Sequence, residues 1–316
     1  MMKFNTFFNE LYATRKRQRQ YDSKRQHGER SPSTFTTTTG TKVTPIDKSD
    51  LIPDRIYATY QLDNGISLSI VHGLVVNFGS TVVGSASHLG NVTCNDGDHQ
   101  MKVENVEDKS VCSIGAIVNA TNRTCCTDGG GLGVGYVDRM ISHAGGKILK
   151  KDRHDLPYIH DNTKHIRCPT GQVRLTGPPS NGSIYYGSLH VAYIIHAVGP
   201  NYAQYGPTYK QPDKLLRHCY HDTLDICCQC GITHVALPSL LCCGKYRGRR
   251  NTKDILRIGV TEISQWALNN CNHDTEGDDS SHHQIPLRSV YIYAYKMEEV
   301  EMLIEIANEL DLRRIV

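Results

Sequence analysis

The chain has 316 residues, of which 39% are hydrophobic and 21% charged, and a formal net charge of +3. That balance suits a globular protein able to bury a core, as one large domain or a domain and a half. So small a net charge gives no argument for a nucleic-acid partner, and no apolar run approaches the roughly 18 residues that a membrane-spanning helix needs.

Residues 1–53 read as a basic, low-complexity tail. "RKRQRQYDSKRQ" is polar and basic, and "SPSTFTTTTGT" offers few groups able to pack. A solvated arm, a nuclear-localisation patch and an organelle transit segment all fit, although Glu10, Asp22 and Glu29 count against the last. The apolar patch from Phe4 to Leu11 is short and broken by Asn and Glu, unlike a secretory signal. The expected setting is therefore intracellular, cytoplasmic or nuclear, with the 12 cysteines reduced.

From Asp54 the texture becomes globular. "GISLSIVHGLVVNF" predicts a strand with a turn at Gly73, and residues 79–112 read as an insertion rich in Gly, Ser, Asn and Asp. "SIGAIVNA" is a short buried strand. "VDRMISHAGGKILKKDR" has helical spacing at Val137, Ile141 and Ala144, with a stop at its Gly pair. Then come a strand at "VAYIIHAVG", a helix closed by Gly231, a strand at "THVALPSLL", a helix at "TKDILRIGVTEISQWALNN", a strand at "RSVYIYAY" and a final helix. The alternation predicts an α/β domain over 54–316, a mostly parallel sheet covered on both faces, with ligands at the carboxyl ends of the strands.

Two glycine-rich loops, "CCTDGGGLGVG" and "CCGKYRG", follow strands directly. Glycines let backbone N–H groups close on an anion, and a helix N-terminus beyond them adds to the attraction. The first loop has neither the G-x-G-x-x-G dinucleotide pattern nor the G-K-[ST] of a P-loop. Among other candidates, Cys227 and Cys230 have zinc-knuckle spacing without a second pair, and "HCYH" at 218–221 lies on a core-facing helix. His196 in "YIIHAVGP" reads as a satisfied core histidine. Arg247, Arg249 and Arg250 read as a solvated basic face or as a means of steering an anion. No metal site is predicted.

The ordered set "AIVNATN", "GGG", "VD…AGG", "RCPTGQVRLTG", "YIIHAVGPNY" and "LPSLLCCGKYRG" resembles the macrodomain family over about Ile66 to Leu310. The resemblance implies a three-layer α/β/α sandwich with a mixed, mostly parallel sheet that binds ADP-ribose without a cofactor. Members of the MacroD type, which share the Appr-1''-p processing fold, hydrolyse mono-ADP-ribose from protein acidic residues or O-acetyl-ADP-ribose. Position by position, Asn119 helps shape the pocket and Asn122 holds the distal ribose. Gly129, Gly130 and Gly131 face the diphosphate. Asp138, matched by its helix register, orients water at the anomeric carbon. In the second loop Cys242, Cys243, Gly244, Lys245 and Tyr246 wrap the diphosphate, with the Tyr246 ring on the distal ribose. The first loop is longer than the family's; aligning the glycines instead would set Gly133 or Val134 at the Asp position. Adenine recognition falls on the Leu74 segment, or else on Asp108. The expected protein is a monomeric, metal-independent ADP-ribosyl hydrolase acting on ADP-ribosylated protein. The alternatives are a non-catalytic ADP-ribose reader and, with less support, a hydrolase using Cys242 or Cys243.

Overall fold

A computed structural model describes residues 54–78, 115–126, 136–159, 165–205, 208–242, 247–270 and 287–316. The chain divides into two units, Met1–Lys48 and Ser49–Val316. The first unit and the 79–112 segment lie outside the described residues, as do Asp108, Gly129, Gly130, Gly131, Gly133, Val134, Cys243, Gly244, Lys245 and Tyr246.

Strands β1 (Arg55–Gln61), β2 (Ser67–His72), β3 (Gly115–Ala120), β4 (Val173–Thr176), β5 (Tyr193–Ala197), β6 (His234–Pro238), β7 (Ser289–Ala294) and β8 (Arg313–Arg314) form one sheet. Their order is β4-β5-β3-β6-β7-β2-β1-β8. The central pairs β5–β3, β3–β6, β6–β7 and β7–β2 are parallel, and the outer pairs antiparallel. The helices are α1 (Tyr136–His154), α2 (Lys210–Gln229), α3 (Thr252–Asn269) and α4 (Met297–Glu309). None of the described helices is long and apolar enough to cross a membrane.

The central strands are apolar on both faces because both faces are covered. Ala116, Val118, Leu68, Ile70, Val235 and Leu237 point into a core shared with α2, α3 and α4. Their neighbours Ile117, Val71 and Ala236 point the other way, into a core completed by Ile141 and Leu149 of α1. This is the expected three-layer α/β/α arrangement. β1 and β4 are additions that sequence reading did not reach, and the helix does not stop at its Gly pair. α1 instead breaks at Gly146 (φ 63°, ψ −157°) and resumes to His154. That backbone conformation is essentially restricted to glycine. The break frees the Ala144 carbonyl, which accepts from the Ser188 amide at 2.9 Å.

Candidate functional site

The site lies between the sheet and α1, at the carboxyl ends of β3 and β5. Parallel pairing sets Asn119 of β3 opposite His196 of β5. Asp138 arrives in the first turn of α1 and Arg153 in its last. All four side chains are buried, Arg153 the least so at 2% exposed. A straight helix would hold two residues 15 positions apart at about 22 Å, given a rise of about 1.5 Å per residue. The Gly146 break returns the chain so that Arg153 Nη2 meets Asp138 Oδ1 at 2.8 Å.

The hydrogen bonds run in one consistent direction. Asn119 Nδ2 donates to Asp138 Oδ1 at 2.7 Å and to His196 Nδ1 at 3.2 Å. His196 Nδ1 is thereby the acceptor and Nε2 carries the proton, which it donates to Thr176 Oγ1 at 3.0 Å. Burial, reinforced by the Arg153 charge, holds the imidazole well below its ordinary range, so the ring is neutral. His196 is thus the satisfied core histidine that its apolar strand suggests, and it also fixes the orientation of Asn119. Flipping the Asn119 amide would turn oxygen toward Asp138 and lose both donations.

Arg153 does more than pair with Asp138. Its Nη2 also donates to Thr121 Oγ1 at 3.1 Å, its Nε to the Cys125 carbonyl and its Nη1 to Ser142 Oγ. A second buried arginine, Arg167, donates to the carbonyls of Thr124, Leu156 and His154 at 3.2, 3.2 and 3.0 Å. It also stacks on Tyr158, 4.3 Å from the ring centre. Together they fasten the segment entering the first glycine loop to the end of α1. Cys125 sits there with φ 54°, a left-handed conformation that costs a non-glycine residue about 1 kcal/mol. Its thiol contacts Cys168, and that hydrogen bond together with burial pushes it up, as expected of an inert core thiol.

Asn122 is half-buried and turned onto its own loop. Its Oδ1 accepts from the Thr124 amide at 2.9 Å and hydroxyl at 2.6 Å, and its Nδ2 donates to the Cys126 carbonyl at 3.3 Å. Two acceptors remain over: Asn119 Oδ1 and Asp138 Oδ2 are buried with no hydrogen-bond partner among the described residues.

The root of the second loop is also well defined. Cys242 is buried in the α2 core, and Gly199 packs so tightly on it that a Cβ there would lie 2.8 Å from the Cys242 Cα. Arg250 binds Asp213 and Asp254, each at 3.0 Å, and lies over the Tyr209 ring at 4.7 Å. Asp213 accepts in turn from the Tyr202 hydroxyl at 2.8 Å. Arg250 is therefore engaged within the protein, while Arg249 is exposed. In "HCYH", Cys219 and Tyr220 are core residues and His221 pairs with Asp225 at 3.2 Å.

Leu74 is buried just beyond β2, opening the 3-10 turn Val75–Asn77. A carboxylate that sequence reading did not single out reaches this segment. Asp54 lies against Gly73 and accepts from Asn77 Nδ2 at 3.1 Å and from the Tyr293 hydroxyl at 3.0 Å. Arg153 is equally hidden in the sequence, since the helix expected there stops at its Gly pair, ahead of Arg153.

Comparison with known proteins agrees with this architecture. Residues 118–250 match the family model described as Macro domain. A macro domain-containing protein of Vibrio parahaemolyticus is 33% identical over 135 residues, 43% of this chain and 66% of that protein. One from Caldanaerobacter subterraneus is 33% identical over 127 residues, 40% of this chain and 60% of that protein. The shared stretch thus spans less than two thirds of each relative. The Oceanobacillus iheyensis macrodomain, solved with ADP, superposes with a TM-score of 0.52 at 19% identity, covering 82% of this chain and 97% of that one. Residues 118–250 thus match the macro domain family, and the fold is that of a macrodomain.

Proposed function

We propose that this macrodomain binds ADP-ribose and hydrolyses it from mono-ADP-ribosylated protein or from O-acetyl-ADP-ribose. The observation that carries the reading is a pair of buried acceptors, Asn119 Oδ1 and Asp138 Oδ2, that have no partner among the described residues. Leaving a buried acceptor unpaired costs about 1–3 kcal/mol, so such atoms mark a place where a donor belongs. A water and the hydroxyls of a sugar are such donors, and Asp138 is the group suited to orient the water. The relatives' family and the ADP carried by the Oceanobacillus iheyensis macrodomain support the choice of ligand.

In this reading Gly129, Gly130 and Gly131 present amides to the diphosphate from one side, and Cys242 through Lys245 from the other. Tyr246 and Asn122 contact the distal ribose, Asn122 exchanging its bonds to Thr124 and Cys126 for sugar hydroxyls. Neither metal nor cofactor is called for. The partner is an ADP-ribosylated protein, met by a monomer in the cytoplasm or nucleus.

One observation favours the non-catalytic reader. Asp138 is fully buried and its Oδ1 is committed to two donors, so a single oxygen is left for chemistry. Calorimetry with ADP-ribose and turnover of a mono-ADP-ribosylated acidic peptide separate the readings. The hydrolase reading expects Asp138→Asn to lower turnover about 100-fold or more while still binding ADP-ribose. Tight binding with no wild-type turnover favours the reader; no binding overturns both.

A further inference from the structure

We propose that Arg153 is the positioning residue of this site, selecting which oxygen of Asp138 works and closing the base of the first glycine loop. The inference rests on the hydrolase reading above and adds to it a residue that touches no ligand.

Arg153 does not meet Asp138 as a fork. Arginine meets a carboxylate best as a fork, two N–H groups on two oxygens, and a buried pair kept only for stability gains most by satisfying both. Here the guanidinium gives a single Nη2 to Oδ1, at 2.8 Å, and spends its other donors elsewhere. Asn119 gives its amide to the same Oδ1. Two donors therefore hold one oxygen, and Oδ2 remains buried without a partner among the described residues. Rotation of the carboxylate would break both bonds at once, so Oδ2 is held in one orientation. His196 contributes at one remove, because its Nδ1 keeps the Asn119 amide turned the right way.

The remaining donors explain how a long loop can still deliver its aspartate. Nε takes the Cys125 carbonyl and Nη2 the Thr121 hydroxyl, both ahead of the loop. Nη1 takes the Ser142 hydroxyl, one turn beyond Asp138. One guanidinium thus holds both flanks, and residues added between 127 and 135 lengthen the loop without moving its ends. The entropy of a longer loop rises only slowly with length, so closure at the base absorbs the insertion at small expense.

The test uses the full chain and three readouts: thermal melting, ADP-ribose affinity, and kcat on a mono-ADP-ribosylated acidic peptide. Arg153→Gln, which removes the charge and most of the fork, is expected to lower kcat about 100-fold with affinity changed less than about threefold. Arg153→Lys is expected to recover about tenfold of that loss, since one cation can still reach Oδ1. A folded Arg153→Gln protein with wild-type kcat overturns the proposal. So does a kcat that falls only in step with the folded fraction. Should neither variant fold, Thr121→Val and Ser142→Ala each remove one contact of the fork. They are expected to lower kcat severalfold at unchanged affinity, and wild-type kcat in both overturns the proposal. The parent reading fails separately, if the wild type does not bind ADP-ribose. Wild-type binding without turnover overturns the positioning role and leaves binding intact.

Discussion

Each glycine loop is anchored by an arginine–aspartate pair, and the two pairs are built differently. Arg153–Asp138 is 2% and 1% exposed, whereas Arg250–Asp213 is 21% and 20% exposed. The second pair lies over an aromatic ring and shares its carboxylates with a tyrosine and a helix N-terminus, an arrangement suited to holding a loop root in place. The first is desolvated, and one oxygen of its carboxylate has no partner among the described residues. A buried pair is weak evidence for stability, because desolvation cancels much of its attraction. Position, rather than strength, is therefore what the first pair supplies.

Breaking the buried pair should cost most. Arg153→Ala leaves Asp138 as an uncompensated buried charge, and urea unfolding should record a loss of about 3–5 kcal/mol. A loss below about 1 kcal/mol would mean that water reaches the carboxylate freely, and the contrast between the loops would collapse. His196→Leu comes next, at about 1–3 kcal/mol, because it strips a partner from the Asn119 amide and leaves Thr176 without its donor. The same residue sets a pH dependence. Its folded pKa is depressed, so below the ordinary histidine value of about 6.5 the unfolded chain binds a proton that the folded chain refuses. Stability is therefore complete above about 6.5 and declines as pH falls, and denaturation midpoints measured from pH 7 to 5 should drop less steeply in His196→Leu. Smallest is Arg250→Ala, at about 1 kcal/mol or less, with an effect that shrinks in 1 M salt. An effect as large as that of Arg153→Ala would show the half-buried anchor to be as strong as the buried one.

How much of this was legible in the sequence varies with the element. The central strands announced themselves as apolar runs, since both of their faces are buried. β1 opens on two exposed residues and then alternates half-buried and buried ones near the sheet edge, and β4 is four residues confined between Gly171 and Gly177, too short to establish a period. Asp138 and Asn119 stand out in the sequence because their motifs keep their order. Asn119 was read as pocket wall, and its task as the donor that holds Asp138 depends on His196, 77 residues away. Arg153 gave no signal at all. Its neighbours are lysines and aspartates on a helix, and only the break at Gly146 turns it inward. Periodicity assumes a straight helix, so a residue that arrives by way of a bend is assigned to the wrong face.

That bend has a consequence for inheritance. Gly146 is half-buried and stands apart from every residue proposed to bind the ligand, yet any side chain there would favour continuing the helix and carry Arg153 away from Asp138. A Gly146→Ala allele should therefore resemble loss of the aspartate while leaving every proposed ligand-binding residue unchanged. Surveys of variation that weigh positions by nearness to a ligand would pass over it. The most fragile letter of the site is one that stands outside it.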